Sequence, residues 1–379
     1  MNPYDPFSRL TPGCPVMVAF SGGVDSSVAA CLCLKAGFQV RAVTMSLLGP
    51  ENFDPSRAQQ TADKLGIPLE IIDLSKEFED TVMRGTWEIY AAGRTPNPCA
   101  VCNPKFKFGR LLEFARKNDC AALVTGHYAR LDAAPDGSIR LRKGVCREKD
   151  QSYFLFGLSH DQLEHACFPL GSMEKSEVRA IASGLGLPSA EAKESQDACF
   201  APSDGSNMAE MLRCRFGASA RTGNFVDTAG KILGRHCGIH AYTIGQRKGT
   251  GVAMGRPAYV KSICAQTREI VLTPDSSELM SRKVRLSKPN LLIREYEDRA
   301  EFSCEAKIRY RSPAVPARVR QYPDHCLLTF EQPQRAVTPG QAAVFYDGDT
   351  LIGGAWIESA EPPAPGTGTG TAPRTSYEC

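Results

Sequence analysis

The stretch PVMVAFSGGVDSS, residues 15–27, constrains this chain more than any other. An apolar, β-prone run over 15–20 passes directly into Ser-Gly-Gly and then into a helical segment from Val24 to Ala36, closed by Gly37. A strand that turns into a helix across glycines leaves backbone N–H groups and the positive end of the helix dipole pointing at one spot, which favours an anion. Ser21, Ser26 and Ser27 add hydroxyl groups there. The Gly-Lys-Ser/Thr ending of a Walker A loop is missing, so the loop is of another phosphate-binding kind. Ser-Gly-Gly alone would suit an ordinary capped turn. The whole heptad behind an apolar strand favours phosphate binding.

The alternation continues. FQVRAVTM (38–45) reads as a strand, SRAQQTADKLG (56–66) as a helix ending at Gly66, and LEIID (69–73) as a third strand. Phe108, Leu111, Leu112 and Ala115 fall on one helix face, and AALVTG (121–126) is another buried strand. Such alternation predicts an α/β fold with a parallel sheet covered by helices on both faces. Glycines punctuate short strand-like runs from about residue 217. From about residue 283 the pattern is nearly all β, with KVRL, AKIRYR, ARVR, LLTF and AAVFYDGDTLIGGAWI. Asp347-Gly348 marks a hairpin, and the spacing predicts a small C-terminal β-barrel. The Pro/Gly/Thr-rich tail 361–379 has no apolar face to bury and is expected to be disordered. No internal repeat is visible.

The 45 basic and 42 acidic residues give a net charge of +3, so a nucleic-acid surface would have to come from local clustering. The opening MNPYDPFSRL lacks a signal-peptide layout, and no apolar run reaches membrane-spanning length. A membrane is therefore not an expected partner. The 15 cysteines are scattered and odd in number, which argues against a disulfide framework and for the reducing cytoplasm.

NPCAVCN, residues 97–103, sets Cys99 and Cys102 three apart. A zinc ribbon needs a second close pair, and the other close spacing, Cys31–Cys33, lies within a helix. A redox couple of the thioredoxin type needs its own βαβ setting. A nucleophilic cysteine and an iron–sulfur ligand pair both stay open.

SGGVDSS resembles the signature of PP-loop enzymes, which split ATP between its α and β phosphates and adenylate a carbonyl or amide oxygen. TPNPCAVCNPKFKF (95–108), TGHYAR (125–130), KDQSYFL (149–155), ESQDACF (194–200), YTIGQRKG (242–249), KIRYR (307–311) and TPGQAAVFYDGD (338–349) follow in order. Together they resemble the bacterial tRNA-specific 2-thiouridylase family, from about residue 15 to residue 358. The resemblance implies a PP-loop catalytic domain (1–208), a small central tRNA-binding domain (209–280), a C-terminal β-barrel (281–360) and a tail (361–379). It implies ATP and Mg2+ as cofactors, with tRNA and a sulfur donor as partners. That donor would be a cysteine desulfurase, a sulfur-relay protein or sulfide. Sulfur would replace the C2 oxygen of the wobble uridine in tRNAs for Lys, Glu and Gln.

Residue by residue, the resemblance places ATP against Ala19, Phe20, Ser21, Gly22, Gly23, Val24, Asp25 and Ser26, with Met45 and Gly126 at the adenosine and Asp25 near magnesium. Asn97, Pro98 and Cys99 would line the target base. His127, Lys149, Asp150, Gln151, Arg309, Tyr310 and Gln341 would meet tRNA. Cys102 matches the nucleophile and Cys199 the persulfide carrier. Period-two alternation in AKIRYR would put Lys307, Arg309 and Arg311 on one strand face, joined by Arg318 and Arg320 and by Arg247 and Lys248 in a phosphate-tracking surface.

Many members carry aspartate where this chain has Cys99, and a thiol replaces a carboxylate acid or base only with a shifted pKa. Either Cys99 is a bystander to Cys102–Cys199 persulfide chemistry, or Cys99, Cys102 and Cys199 ligate a four-iron four-sulfur cluster. Two rivals remain: a PP-loop ligase acting on a small carboxylate, and a non-catalytic RNA-binding protein.

Overall fold

The computed structural model describes residues 5–187, 198–202 and 204–361. The tail expected to be disordered lies, apart from Glu361, outside them, as do Glu194–Asp197 of the ESQDACF motif.

The apolar run builds β1 (Pro15–Ala19), buried along its centre, and the helix after the glycines is α1 (Val24–Lys35). β2 (Gln39–Ser46), α2 (Ser56–Leu65) and β3 (Leu69–Asp73) follow. Gly66 closes α2 in the left-handed region, φ 67°, while the Gly66 and Ile67 N–H groups bond back to Asp63 and Ala62. β4 (Ala122–Val124) flanks β1 on the other side. β5 (Ala129–Ala133) and β6 (Ile139–Lys143) form an antiparallel hairpin that leaves this sheet, and β7 (Ala166–Cys167) completes it. The sheet is parallel, ordered β3-β2-β1-β4-β7. The chain runs outward one way from β1 and later returns to its other side, so the crevice at the carboxyl ends of β1 and β4 is the topological switch point.

A four-stranded sheet follows, of β8 (Gly223–Val226), β9 (Ile232–His236), β10 (Tyr259–Cys264) and β11 (Glu269–Thr273). Next come β12 (Met280–Ser287), β13 (Asn290–Leu291), β14 (Glu301–Lys307), β15 (Val315–Gln321), β16 (His325–Arg335), β17 (Ala342–Asp347) and β18 (Thr350–Ala360). The ring β12-β16-β15-β14-β17-β18 closes because β12 also pairs with β18. The barrel encloses Val284, Val319, Leu328, Phe330 and Phe345. Arg142 on β6 pairs with Thr350 on β18, which ties the hairpin to the barrel.

One expectation is corrected. AKIRYR is not one strand: β14 stops at Lys307, and Ile308–Arg311 bend away. The Arg309 guanidinium donates to the carbonyls of Arg335 (2.6 Å) and Ala336 (2.5 Å), which the bend makes reachable. Arg318 and Arg320 do share an exposed strand face, but both are ion-paired with Glu301, at 2.9 and 3.3 Å. One carboxylate against two guanidinium groups leaves this face net positive.

The helix expected around 108–115 is present in altered form. Residues 98–102 are α-helical, Asn103–Leu111 are π-helical, and Leu112–Lys117 are α-helical again. Pro104 has no N–H to give the previous turn, and the helix widens where that bond is missing. Phe108, Leu111, Leu112 and Ala115 are all buried.

Candidate active site

The loop after β1 is built from backbone geometry. Gly22 sits at φ 68°, and a Cβ there would meet the Ala58 backbone of α2 at 2.7 Å. The Ser21 N–H donates to Ser26 Oγ (3.2 Å), while the Ser26 and Ser27 hydroxyls donate to the Gly23 carbonyl (3.1 and 2.8 Å). Gly126, just after β4, lies so close that a Cβ would stand 2.9 Å from the Asp25 carbonyl carbon. Glycine is needed at both places for close approach.

Two adjoining cavities open at this crevice. The first, of about 490 Å³, is lined by Ala19, Phe20, Ser21, Asp25, Ser26, Met45 and Gly126, and also by Pro98, Cys99, Cys102 and Cys199. Its size suits a nucleotide-sized ligand. The second, of about 1150 Å³, takes in Gly23, Val24, Cys99, His127, Lys149, Asp150, Gln151 and Tyr310. Arg57, Arg147, Lys307 and Arg311 add positive charge to its walls. Asp25 borders both cavities, and its Oδ1 accepts from the Tyr128 hydroxyl (2.8 Å) and the Lys175 ammonium (2.7 Å).

The three thiols arrive from two segments. The Asn97 carbonyl oxygen of the side chain accepts the Ala100 N–H (3.3 Å) and caps the short helix Pro98–Cys102, which carries Cys99 and Cys102. Cys199 is held by its neighbour Phe200, which packs edge-on against Phe78 at 5.8 Å; Phe78 in turn packs against Phe106 at 5.3 Å. Burial pushes the Cys102 thiol up to about 12, while the Lys107 charge pulls the other way and Cys199 and Cys99 add to the rise. The Cys99 and Cys199 thiols are raised as well, first by desolvation. Cys199 is exposed and lines the first cavity.

Several expected contact residues have structural partners. The Gln341 side-chain amide donates to the carbonyls of Thr95 (3.1 Å) and Pro96 (2.8 Å), bracing the segment before the cysteines. Buried Asp150 accepts from the Gly144 N–H and from Ser152. The Gln151 side-chain oxygen accepts the Tyr128 N–H (3.1 Å). Tyr310 packs against Phe154 with ring centroids 4.5 Å apart. Sequence reasoning passed over Asn103, Lys107 and Lys175, although each lines a cavity. The Pro104 and Gly109 flanking Lys107 were the available signal of an irregular helix.

Family models match three consecutive segments. They are described as a tRNA methyl transferase HUP domain (14–203), a tRNA methyl transferase PRC-barrel domain (212–274) and an aminomethyltransferase beta-barrel domain (281–357). The tRNA-specific 2-thiouridylase MnmA of Geotalea uraniireducens is 41% identical over 361 residues, covering 91% of this chain and 95% of that protein. The protein of the same name from Carboxydothermus hydrogenoformans is 42% identical over 359 residues, covering 90% and 97%. This chain belongs to the tRNA-specific 2-thiouridylase (MnmA) family. The parallel sheet and phosphate loop are the HUP domain of that family, an ATP-using one, with the PRC-barrel and the closed barrel behind it. Among the described residues, no helix is long and apolar enough to cross a membrane.

Proposed function

We propose that this chain is an ATP-dependent tRNA uridine 2-sulfurtransferase, working in the cytoplasm on the wobble uridine of tRNAs for Lys, Glu and Gln. The observation that carries this reading is a single cavity lined by the phosphate loop and by Cys99, Cys102 and Cys199. A ligase in which a free amine attacks the adenylate requires no thiols beside the ATP loop. Sulfur transfer needs them.

ATP, as substrate, turns the C2 oxygen of the uridine into a leaving group. Loop residues 21–26 cradle its phosphates, Met45 and Gly126 flank the adenosine, and Asp25 is the carboxylate suited to share magnesium. A donor, whether a desulfurase, a relay protein or sulfide with an oxidant, leaves sulfane sulfur on Cys199. The terminal persulfide sulfur, its proton lost to solvent, bonds to C2. The C2–O bond breaks, and AMP departs with the oxygen and the electron pair. The Cys102 thiolate then attacks Cys199 Sγ, and the S–S electron pair returns to the transferred sulfur as the thiocarbonyl forms. A Cys102–Cys199 disulfide results, which an external thiol reduces before the next cycle. Lys149, Asp150, Gln151, His127, Arg309, Tyr310 and Gln341 belong to the tRNA side of this reading, with Asn97 and Pro98 near the target base.

A cluster would need three thiolates around one group. Among the described residues, no three His, Cys, Asp or Glu side chains stand close enough to share a metal ion. A four-iron cluster takes each thiolate on a different iron, so what it needs is one space lined by all three, which the first cavity supplies. No step is routed through a cluster.

The test is to incubate the protein with tRNA, ATP and a sulfide or desulfurase donor, then to analyse nucleosides and nucleotides. Wobble 2-thiouridine with matching AMP and pyrophosphate is expected. AMP formation driven by a small carboxylate and indifferent to Cys199→Ser would establish the ligase instead. No ATP turnover with tRNA would leave an RNA-binding protein.

A further inference from the structure

The widened helix turn brings a cation to the sulfur chemistry. In an α-helix, residues five apart point about 140° away from each other. In a π-helix, with its i→i+5 bonds, they return to nearly the same face. The π-helical turn begins at Asn103, so Lys107, five residues after Cys102, follows it across the wider turn. Cys99, Asn103 and Lys107 line both cavities, and Lys107 shares the first with Cys102 and Cys199. Gln162 fastens the turn, its amide donating to the carbonyls of Pro104 (2.8 Å) and Phe108 (2.9 Å).

The lysine is held from the other side by His127. That ring is buried, with Nδ1 2.6 Å from Thr125 Oγ1 and Nε2 3.5 Å from Lys107 Nζ. An ammonium has only hydrogens to give, so Nε2 accepts, and a neutral ring must carry its proton on Nδ1 and donate it to Thr125. Burial, with the Lys107 charge, keeps this imidazole well below its ordinary range and so neutral. Among the described residues lining the first cavity, Lys107 is the one bearing positive charge; the other titratable groups there besides the thiols and His127 are Asp25 and Asp54. Asp25 is engaged by Lys175, and Asp54 accepts the Ser56 N–H at 2.9 Å.

We propose that Lys107 is a positioning residue that supplies the counter-charge for anionic sulfur at Cys102 and Cys199, with neutral His127 holding its ammonium between the two cavities. This deepens the sulfurtransferase reading and rests on it for the purpose of the charge. The placement itself is independent of tRNA. Without that charge, a buried thiolate flanked by two other sulfurs faces only carboxylates, and its formation is disfavoured.

The test reads thiol chemistry without tRNA or ATP. Wild type, Lys107→Met, Lys107→Gln and Lys107→Arg are alkylated with iodoacetamide from about pH 6 to about pH 10, and each cysteine is followed by mass spectrometry. Cys102 should react about tenfold more slowly at a given pH in Lys107→Met and Lys107→Gln, its profile moved up by about one pH unit. Lys107→Arg should recover to within about threefold. Exposed Cys237 should keep its rate throughout. Lys107→Gln retains a donor for His127 Nε2 without the charge, so it stays informative if the methionine variant fails to fold. An unchanged Cys102 profile in the glutamine variant, or an arginine variant as slow as glutamine, overturns the proposal. Either result leaves the sulfurtransferase reading standing, because that is decided by nucleoside analysis.

Discussion

The two ends of the first cavity are built by different means. At the phosphate end, Gly22 and Gly126 let backbone approach backbone, and the serine hydroxyls bond to the loop itself. At the sulfur end the working parts are side chains, delivered from the Asn97-capped helix and from a turn anchored by Phe200, and kept neutral by burial. The first end tolerates no added atom. The second tolerates a change of one atom sterically but not chemically. Substitutions should therefore separate the two, folding and nucleotide binding failing at one end and sulfur transfer alone at the other.

The largest effect belongs to the sulfur end. Cys102→Ser and Cys199→Ser each exchange sulfur for oxygen with little change in volume, and each should cut 2-thiouridine formation by at least about 10³-fold. ATP affinity, measured by calorimetry, should stay within about threefold of wild type. If Cys102→Ser weakened ATP binding as much as it weakened thiolation, the two ends would be one unit and the comparison would fail. The pH dependence sharpens it. A Cys102 thiol raised to about 12 is almost wholly protonated at neutral pH, so its thiolate fraction grows as pH rises. Single-turnover sulfur transfer should accelerate by about tenfold per pH unit through the neutral range, while ATP binding stays flat.

Gly22→Ala should break the other end. Its left-handed φ and the 2.7 Å approach to Ala58 together cost about 2–4 kcal/mol, read by chemical denaturation of the purified chain. ATP affinity should fall with it by at least about tenfold. A variant as stable as wild type would mean that α2 moves aside easily and the loop is not backbone-locked.

This contrast also explains what could be read from residues alone. The phosphate loop is a local device in which strand, glycines and helix are consecutive, so PVMVAFSGGVDSS displays it whole. The cysteines were legible as chemistry but not as geometry, because Cys102 and the segment carrying Cys199 are brought together through Phe78, Phe106 and Phe200. Arg309 has a structural role that its charge did not reveal, its guanidinium donating to the carbonyls of Arg335 and Ala336. Gln341 is a similar case, bracing Thr95 and Pro96 whatever else it does. Lys107 was missed because α-helical periodicity turns it away from Cys102, and the wider turn was hidden behind Pro104. Buried Phe106 and Phe108, two apart, were a sign that no single α-helical face would fit.

Gln162 offers a smaller and more specific break. Replacing it with leucine removes the donor to the Pro104 and Phe108 carbonyls. A loss of about 1–3 kcal/mol is expected. Amides in 103–111 should exchange faster with solvent, and those in α1 should be unaffected. Equal acceleration in α1 would show that the sulfur end and the phosphate end open together.

Cys99 should give the smallest effect, and it tests the boundary itself, since this residue lines both cavities. Its thiol is raised by desolvation, as those of Cys102 and Cys199 are, so the prediction for Cys99 rests on the sulfur-transfer scheme giving it no bond to make. Cys99→Ser should change the rate of 2-thiouridine formation by less than about threefold. The same preparation, purified without oxygen, decides what kind of sulfur end this is. Iron and acid-labile sulfide should be absent at stoichiometric levels from wild type and variant alike. Broad absorbance near about 400 nm, with stoichiometric iron in the wild type that disappears in Cys99→Ser, would make Cys99 a cluster ligand. Sulfide would then become the immediate donor, and the sulfur end would be a metal centre rather than a pair of working thiols beside a spectator.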